Sequence, residues 1–433
     1  MEPLFNPGVE RKEPLDRETL RDVIELALWT GQILLHAGAQ SARIERTVHR
    51  MGTALGADWM DIVVMPEGLM VTTVSGEEFR TRIRRVVSLS VNLALIAEIN
   101  ALSRKVAEGK LDRFQVRREL QRLESLRVNY PRWLVVLMVG LACAAFSRLF
   151  GGDWLTFGIT FAASSAAMFV RQTLTRTYLN TLLVIMVTAF VAGVIPGAAA
   201  LIGLLPRPET ALAASVLLLV PGVPLINAAR DILRGYIVTG TARGIWGFVI
   251  SLCIALGLLV ALQVTGVSGL DTTTTISRDP LSFLLADALW SGVAALGFAV
   301  LFNVPRQYLP YCALAGAAGH ALRALLLQSG VAITSGTLAG ALLVGLLGEL
   351  FAQRMRSPAG MFAVPAAIPM VPGAFAFRAM IGVIDLTIAP TGADTRVLVE
   401  AITNFAITGL VLAALAVGIA MPSLIGRRQK PVV

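Results

Sequence analysis

A stretch of apolar sequence occurs twice in this chain, about 151 positions apart, and this repetition constrains the fold more than any other feature. Val220-Pro221-Gly222 returns as Val371-Pro372-Gly373. Ala189 to Gly193 is echoed by Ala341 to Gly345, and Arg171, which follows an apolar run, is echoed by Arg323. Each copy holds five stretches long and apolar enough to cross a bilayer. A duplicated unit with an odd number of crossings enters the membrane from opposite sides. The expected fold class is therefore a polytopic α-helical membrane protein, with ten transmembrane helices in a 5+5 inverted repeat and a small N-terminal α/β cytoplasmic domain. Inverted repeats build many secondary transporters.

The first five spans are expected near 133–150, 154–171, 178–202, 210–229 and 245–266. The second five are expected near 281–304, 308–328, 331–353, 360–384 and 397–421, after a joining loop that carries Asp271 and four threonines. A hydrophobic content of 55% and a mean hydropathy of +0.72 agree with a chain mostly in lipid. Charge is concentrated before the first span: residues 1–132 hold 20 Lys/Arg and 18 Asp/Glu. The net charge of +9 comes mainly from arginines flanking spans, so it does not indicate nucleic-acid binding. Three domains follow: 1–130 cytoplasmic α/β, 131–270 the first repeat, 271–433 the second.

Within the first domain, Leu20, Val23, Ile24, Ala27, Leu28, Gly31, Leu34 and Leu35 share one face of a helix over Thr19–Ala37. Ser41 is placed to cap a second helix. Strands are expected at Met60–Met65, Leu69–Val74 and Phe79–Val86, then helices near 88–107 and 112–127. Arg80, Arg82 and Arg84 alternate with Phe79, Thr81 and Ile83, which predicts a basic, solvated strand face. With this domain in the cytoplasm, Arg132, Arg171, Arg176, Arg230, Arg234, Arg243, Arg306, Arg354, Arg356, Arg427, Arg428 and Lys430 fall inside. Arg148, Arg207, Arg278 and Arg396 fall outside, and Arg323 falls near an outside end. That bias places both termini in the cytoplasm of a bacterial plasma (inner) membrane protein.

The paired proline-broken spans are the most specific local signal. Proline removes a backbone donor and clashes with the preceding turn. Unpaired backbone at membrane depth is tolerated only against protein or a watery cavity. Freed N–H groups and half-helix ends then suit a carboxylate or ammonium group. The expected substrate-binding residues are Pro221, Gly222, Pro224, Asn227, Asp231, Pro369, Pro372, Gly373 and Arg378. Asn227 and Arg378 occupy equivalent repeat positions. A kink that serves packing alone is the alternative. For proton coupling the intramembrane acids Asp287 and Glu349 are the candidates, although Glu349 could simply pair with Arg354. His320 reads as a packed, hydrogen-bonded residue, with a proton relay as the alternative.

Cys143, Cys253 and Cys312 all lie in apolar runs and give no disulfide framework, and no metal-ligand spacing is present. The absence of a nucleotide loop argues against an ATP-driven pump, and no cofactor is expected. The absence of GxSxG and HExxH, and of any nucleophile–base spacing, argues against a membrane-embedded hydrolase. A channel or a ligand sensor is a further class.

The segment Gly31 to Arg50, with Gly38-Ala39 followed by Arg43, Glu45 and Arg50, resembles the N-terminal motif of the threonine/serine exporter family. Asn92-Leu93, Asn100, Gly109 and the two Val-Pro-Gly spans extend the resemblance from about 20 to 425. In that family the halves occur fused, as here, or as two small proteins. The resemblance implies a ten-span exporter of small amino acids driven by the proton gradient. Some two-component relatives are linked to dicarboxylate export, for which Arg230 would have to join Arg378. The expected partners are a small polar amino acid or carboxylate substrate, protons and membrane lipid, without nucleic acid; a homo-oligomer is left open. The resemblance leaves Gly38, Arg43 and Glu45 either structural or a gate at the cytoplasmic mouth.

Overall fold

The computed structural model describes residues 12–86, 90–125, 128–205, 208–267, 280–388 and 395–425. The joining loop with Asp271, and Arg207, Arg278, Arg427, Arg428 and Lys430 of the charge pattern, lie outside these residues.

The N-terminal part holds helices α1 (Arg17–His36) and α2 (Ser41–Ala54), strands β1 (Trp59–Met65), β2 (Gly68–Ser75) and β3 (Glu78–Arg85), then α3 (Leu93–Ala107) and α4 (Arg113–Glu124). The strands form an antiparallel sheet in the order β1-β2-β3, with Val71 opposite Ile62 and Arg82. α1 is buried on more than the expected stripe, including Leu26 and Ile33, because the sheet, α2, α3 and α4 all pack on it. Gly31 permits the tightest of these approaches, since a Cβ there would meet Leu69 Cδ1 at 2.5 Å.

The alternation along β3 is as expected, but the faces are exchanged. Phe79 and Ile83 are exposed, at 70% and 66%. The arginines turn toward α1, where Arg82 pairs with Glu25 at 3.1 Å and Arg84 donates to Gln32 at 3.3 Å. Ser41 is also not a helix cap: Gln40 occupies that position, and the Ser41 side chain leaves the domain altogether.

The rest of the chain is helical. α5 (Arg132–Leu149), α6 (Trp154–Leu174) and α7 (Thr181–Leu201) precede a bent pair, α8 (Pro208–Ser215) and α9 (Gly222–Leu233), and then α10 (Ile237–Thr265). The order recurs in α11 (Pro280–Leu301), α12 (Leu309–Gln328), α13 (Ile333–Met355), the pair α14 (Gly360–Ala367) and α15 (Gly373–Ile388), and α16 (Thr395–Ile425). Pairings recur with it: α5 on α6 as α11 on α12, α7 on α10 as α13 on α16, and α9 on α10 as α15 on α16. Six of these helices are long and apolar enough to cross a membrane, and eight spans result if each bent pair is one. α6 and α12 are long enough but carry more small and polar residues, such as Ser164, Ser165, Gly316 and His320. Small residues allow close helix contact. A Cβ at Gly297 of α11 would sit 2.4 Å from the Met138 carbonyl of α5, one of the contacts between the two halves.

Candidate functional site

Each bent pair breaks at the same place. The residue before proline is driven out of the helical region: Val220 (φ −55°, ψ 125°) and Val371 (φ −61°, ψ 131°) are extended. One 3-10 turn precedes each, at Leu217–Leu219 and Ile368–Met370. Gly222 N–H then donates to the Val220 carbonyl and Gly373 N–H to the Val371 carbonyl, both at 2.7 Å. The resulting bends are 61° and 46°. Pro224 and Pro365 lie inside helical turns and Pro369 inside a 3-10 turn, so Pro221 and Pro372 alone make the breaks.

The two breaks meet. A Cβ on Gly222 would lie 3.2 Å from Ile368 and 3.4 Å from Val371, and one on Gly373 would lie 2.2 Å from Leu217 and 3.9 Å from Val220. This is a reciprocal contact, each glycine set against the other break's 3-10 turn and valine. Only a void of about 10 Å³ remains between them, bounded by Phe146, Leu217, Val220, Gly222, Ile368 and Val371. A part-buried arginine approaches each break from two helices earlier in the chain, Arg171 from α6 and Arg323 from α12. Arg171 Nη1 points at the Leu218 carbonyl (3.4 Å) and Arg323 Nη1 at the Met370 carbonyl (3.5 Å). Both carbonyls end a half-helix, where cations are favoured.

The second half carries a buried ionisable pair. Asp287 Oδ2 of α11, 7% exposed, lies 2.7 Å from His320 Nδ1 of α12. Arg323, one turn beyond His320, lies close enough for its charge to act on Asp287, and its Nε has no hydrogen-bond partner among the described residues. Asp287 and His320 thus form a bonded pair, and Arg323, near enough to feel the Asp287 charge, reaches the carbonyl at the second break. Glu349 on α13 is part-buried and lies among the charges near Arg230.

Asn227 and Asp231 do not face the void at the breaks. Asn227 Nδ2 donates to the Gly38 carbonyl (3.0 Å). Asp231, wholly buried, accepts from Ser41 N–H (3.1 Å), Ser41 Oγ (2.9 Å) and Arg243 Nη1 (2.6 Å). Arg243 Nη2 continues to the Ala39 carbonyl (3.1 Å), Tyr236 donates to Glu45, and Thr239 Oγ1 donates to the Val64 carbonyl (2.8 Å). The motif segment Gly38–Glu45 is therefore the joint between the N-terminal part and α9–α10. Gly38 is required there by a φ of +78° and by the Ser90 carbonyl, 2.7 Å from where its Cβ would lie. The Ser41–Asp231 partnership could not be read from the sequence, since 190 residues separate the two. Arg378, the repeat equivalent of Asn227, is part-buried on α15, 6.0 Å from the Phe375 ring, with the Glu400 charge near it.

A second joint holds the other half. Asn92 caps α3, bonding Leu95 N–H (3.1 Å), and accepts from Asn303 Nδ2 (3.0 Å). Asn303, at φ +58°, also accepts from Asn129 N–H (2.7 Å), and Leu93 N–H bonds the Phe302 carbonyl (3.0 Å). Tyr130 donates to the Val304 carbonyl (2.5 Å), and burial pushes its hydroxyl up to about 12, so it remains a donor at neutral pH. Beside this joint, a cavity of about 760 Å³ separates the N-terminal part from the helices, reached by His36, Glu98, Arg104, Asn303, Tyr308 and Arg356.

A family model described as "Putative threonine/serine exporter" matches residues 25–265, and one described as "Threonine/Serine exporter, ThrE" matches residues 287–425. The chain is 37% identical over 258 residues to a "Probable succinate transporter subunit YjjP" of Klebsiella aerogenes, covering 59% of this chain and 98% of that one. The protein of the same description in Escherichia coli K12 is 37% identical over 259 residues, covering 59% and 99%. An uncharacterized Haemophilus influenzae protein is 25% identical over 419 residues, covering 97% of this chain and all of that one. No solved structure matches. The first family model alone covers more than half of the sequence, and the chain, a multi-pass membrane protein, belongs to the threonine/serine exporter family.

Proposed function

We propose that the protein is a secondary active exporter of a small carboxylate-bearing metabolite of the threonine/serine kind, driven by protons across a bacterial plasma membrane. On this reading α6 and α12 are also spans, which gives ten helices in a 5+5 inverted repeat with the α/β domain and both termini in the cytoplasm. Alternating access rocks one half against the other about the two breaks. The reciprocal seating of Gly222 and Gly373 is the observation that carries this reading. A contact that the two halves make reciprocally is a natural pivot, and its small apolar void fits a closed state between the two open ones.

The protons are carried by Asp287, with His320 as its exchange partner at 2.7 Å and Arg323 as the link to the second break. Buried acids in membrane spans commonly serve as proton relays. Efflux from cells loaded with threonine dipeptides, with and without an uncoupler, tests the proposal. Threonine efflux that collapses on uncoupling supports it. Threonine efflux that persists in full without a proton gradient removes proton coupling.

A dicarboxylate substrate is the second reading. It is favoured by one observation, that Arg230 is 7% exposed and enclosed by protein rather than standing at a lipid surface. The description of the YjjP proteins as probable succinate transporter subunits points the same way. Succinate efflux in a parallel set of loaded cells separates the two substrates.

A further inference from the structure

We infer that Arg230 is a carboxylate-binding residue, taking a carboxylate of the transported metabolite where α9 meets the N-terminal domain. This rests on the reading of the chain as a transporter.

Arg230 is 7% exposed, and its Nε and Nη1 are buried without a hydrogen-bond partner among the described residues. Its nearest acid is already satisfied: Asp231 accepts three hydrogen bonds, two from Ser41 and one from Arg243. The remaining charges around it are Arg43, Arg234 and Glu349, so two cations face one acid. Arg234 donates from Nη2 to Ser423 Oγ at 3.1 Å, and its Nε is buried without a hydrogen-bond partner among the described residues. Arg243 provides the contrast. It is as deeply buried, 8% exposed, and has an ion pair at 2.6 Å and a carbonyl at 3.1 Å. The same region of the fold thus satisfies one arginine fully and leaves another without a hydrogen-bonded anion among the described residues.

An isolated buried cation is costly and persists where something supplies the counter-charge. The guanidinium fork matches a carboxylate in geometry, and it keeps its charge where a lysine would lose it. Asp231, the next residue, ties α9 to Ser41, so release of that joint would open Arg230 from the domain side. Arg230 lies eight residues along α9 from Gly222 at the break, about 12 Å at 1.5 Å per residue. It would meet a substrate before the break does.

Thermal unfolding of the full-length protein in detergent tests this, with succinate, threonine or inorganic phosphate added, for the wild type, Arg230→Met and Arg230→Lys. The wild type should be stabilised by a carboxylate. Arg230→Met should raise the ligand-free Tm, because an unpaired charge is removed, and should weaken carboxylate binding ten- to a hundred-fold. Arg230→Lys should bind with intermediate strength. An Arg230→Met protein of lower ligand-free Tm that still responds to carboxylate like the wild type would make Arg230 structural and overturn the inference. Stabilisation by phosphate equal to that by carboxylate would overturn the ligand class. No stabilisation of the wild type by succinate or threonine would also overturn the site. Flux in proteoliposomes separates the two claims. Binding without flux leaves the site and removes the transport reading, whereas flux with unchanged KM in Arg230→Met leaves transport and removes the site.

Discussion

Ser41 holds Asp231 with both its backbone N–H and its hydroxyl, at 3.1 and 2.9 Å, although 190 residues separate them. The carboxylate thereby serves the first turn of α2, whose own cap residue, Gln40, makes no side-chain capping bond. Anions are favoured at a helix N-terminus. With Arg243 on its other side, Asp231 is a structural charge joining two parts of the molecule.

Asp231→Ala is therefore expected to leave Arg243 buried and uncompensated, at a cost of about 3–5 kcal/mol. Ser41→Ala removes one hydroxyl bond to the charge and should cost about 1–3 kcal/mol. Tm measurements should rank the variants in that order, and limited proteolysis should cut the N-terminal domain sooner in both.

Asn303 ties the other half to the same domain through Asn92 and Asn129. Asn303→Gly keeps its left-handed backbone accessible but loses both side-chain bonds. Asn303→Val loses both bonds and strains the backbone as well. Asn303→Gly should lie above Asn303→Val in Tm, and both below the wild type.

Gly297 sets the approach of α11 to α5. Gly297→Ala places a methyl carbon 2.4 Å from the Met138 carbonyl, which is backbone and cannot rotate away. Overpacking of this kind costs about 1–3 kcal/mol, read as a lowered Tm. Gly109→Ala, where a Cβ meets nothing within 4 Å, should show only the cost of its positive φ.

The positions of nearly all helices could be read from the sequence because span length and proline placement are local properties. Leu217 to Gly222 and Ile368 to Gly373 break as Pro221 and Pro372 dictate. The sequence reading misjudged which side of β3 is buried, because alternation gives the period of a strand but not which face meets α1. Asn227 and Asp231, expected at the substrate, bond Gly38 and Ser41, and polar residues near a break look alike in sequence whether they face a cavity or another domain. Their partners, Gly38 and Ser41, stood in the motif segment, but one sequence carries no signal linking them. The Asp287–His320 pair was half visible: both residues stood out as polar groups in apolar runs, but α11 and α12 had to be packed before they could be joined.

If Asp287 carries the proton, Asp287→Asn should retain folding and substrate exchange but lose acceleration by a pH gradient. His320→Gln should reduce the gradient response while leaving the carboxylate in place. Comparing exchange with gradient-driven flux in the two variants separates loss of coupling from loss of the protein.

The most direct test of the central claim uses the purified protein in liposomes, with labelled threonine and labelled succinate inside and an imposed pH gradient. The account predicts saturable flux of at least one of the two, accelerated by an inward proton gradient in the wild type and unresponsive to it in Asp287→Asn. Gradient-independent, non-saturating leakage of both solutes, equal in the two proteins, would contradict it.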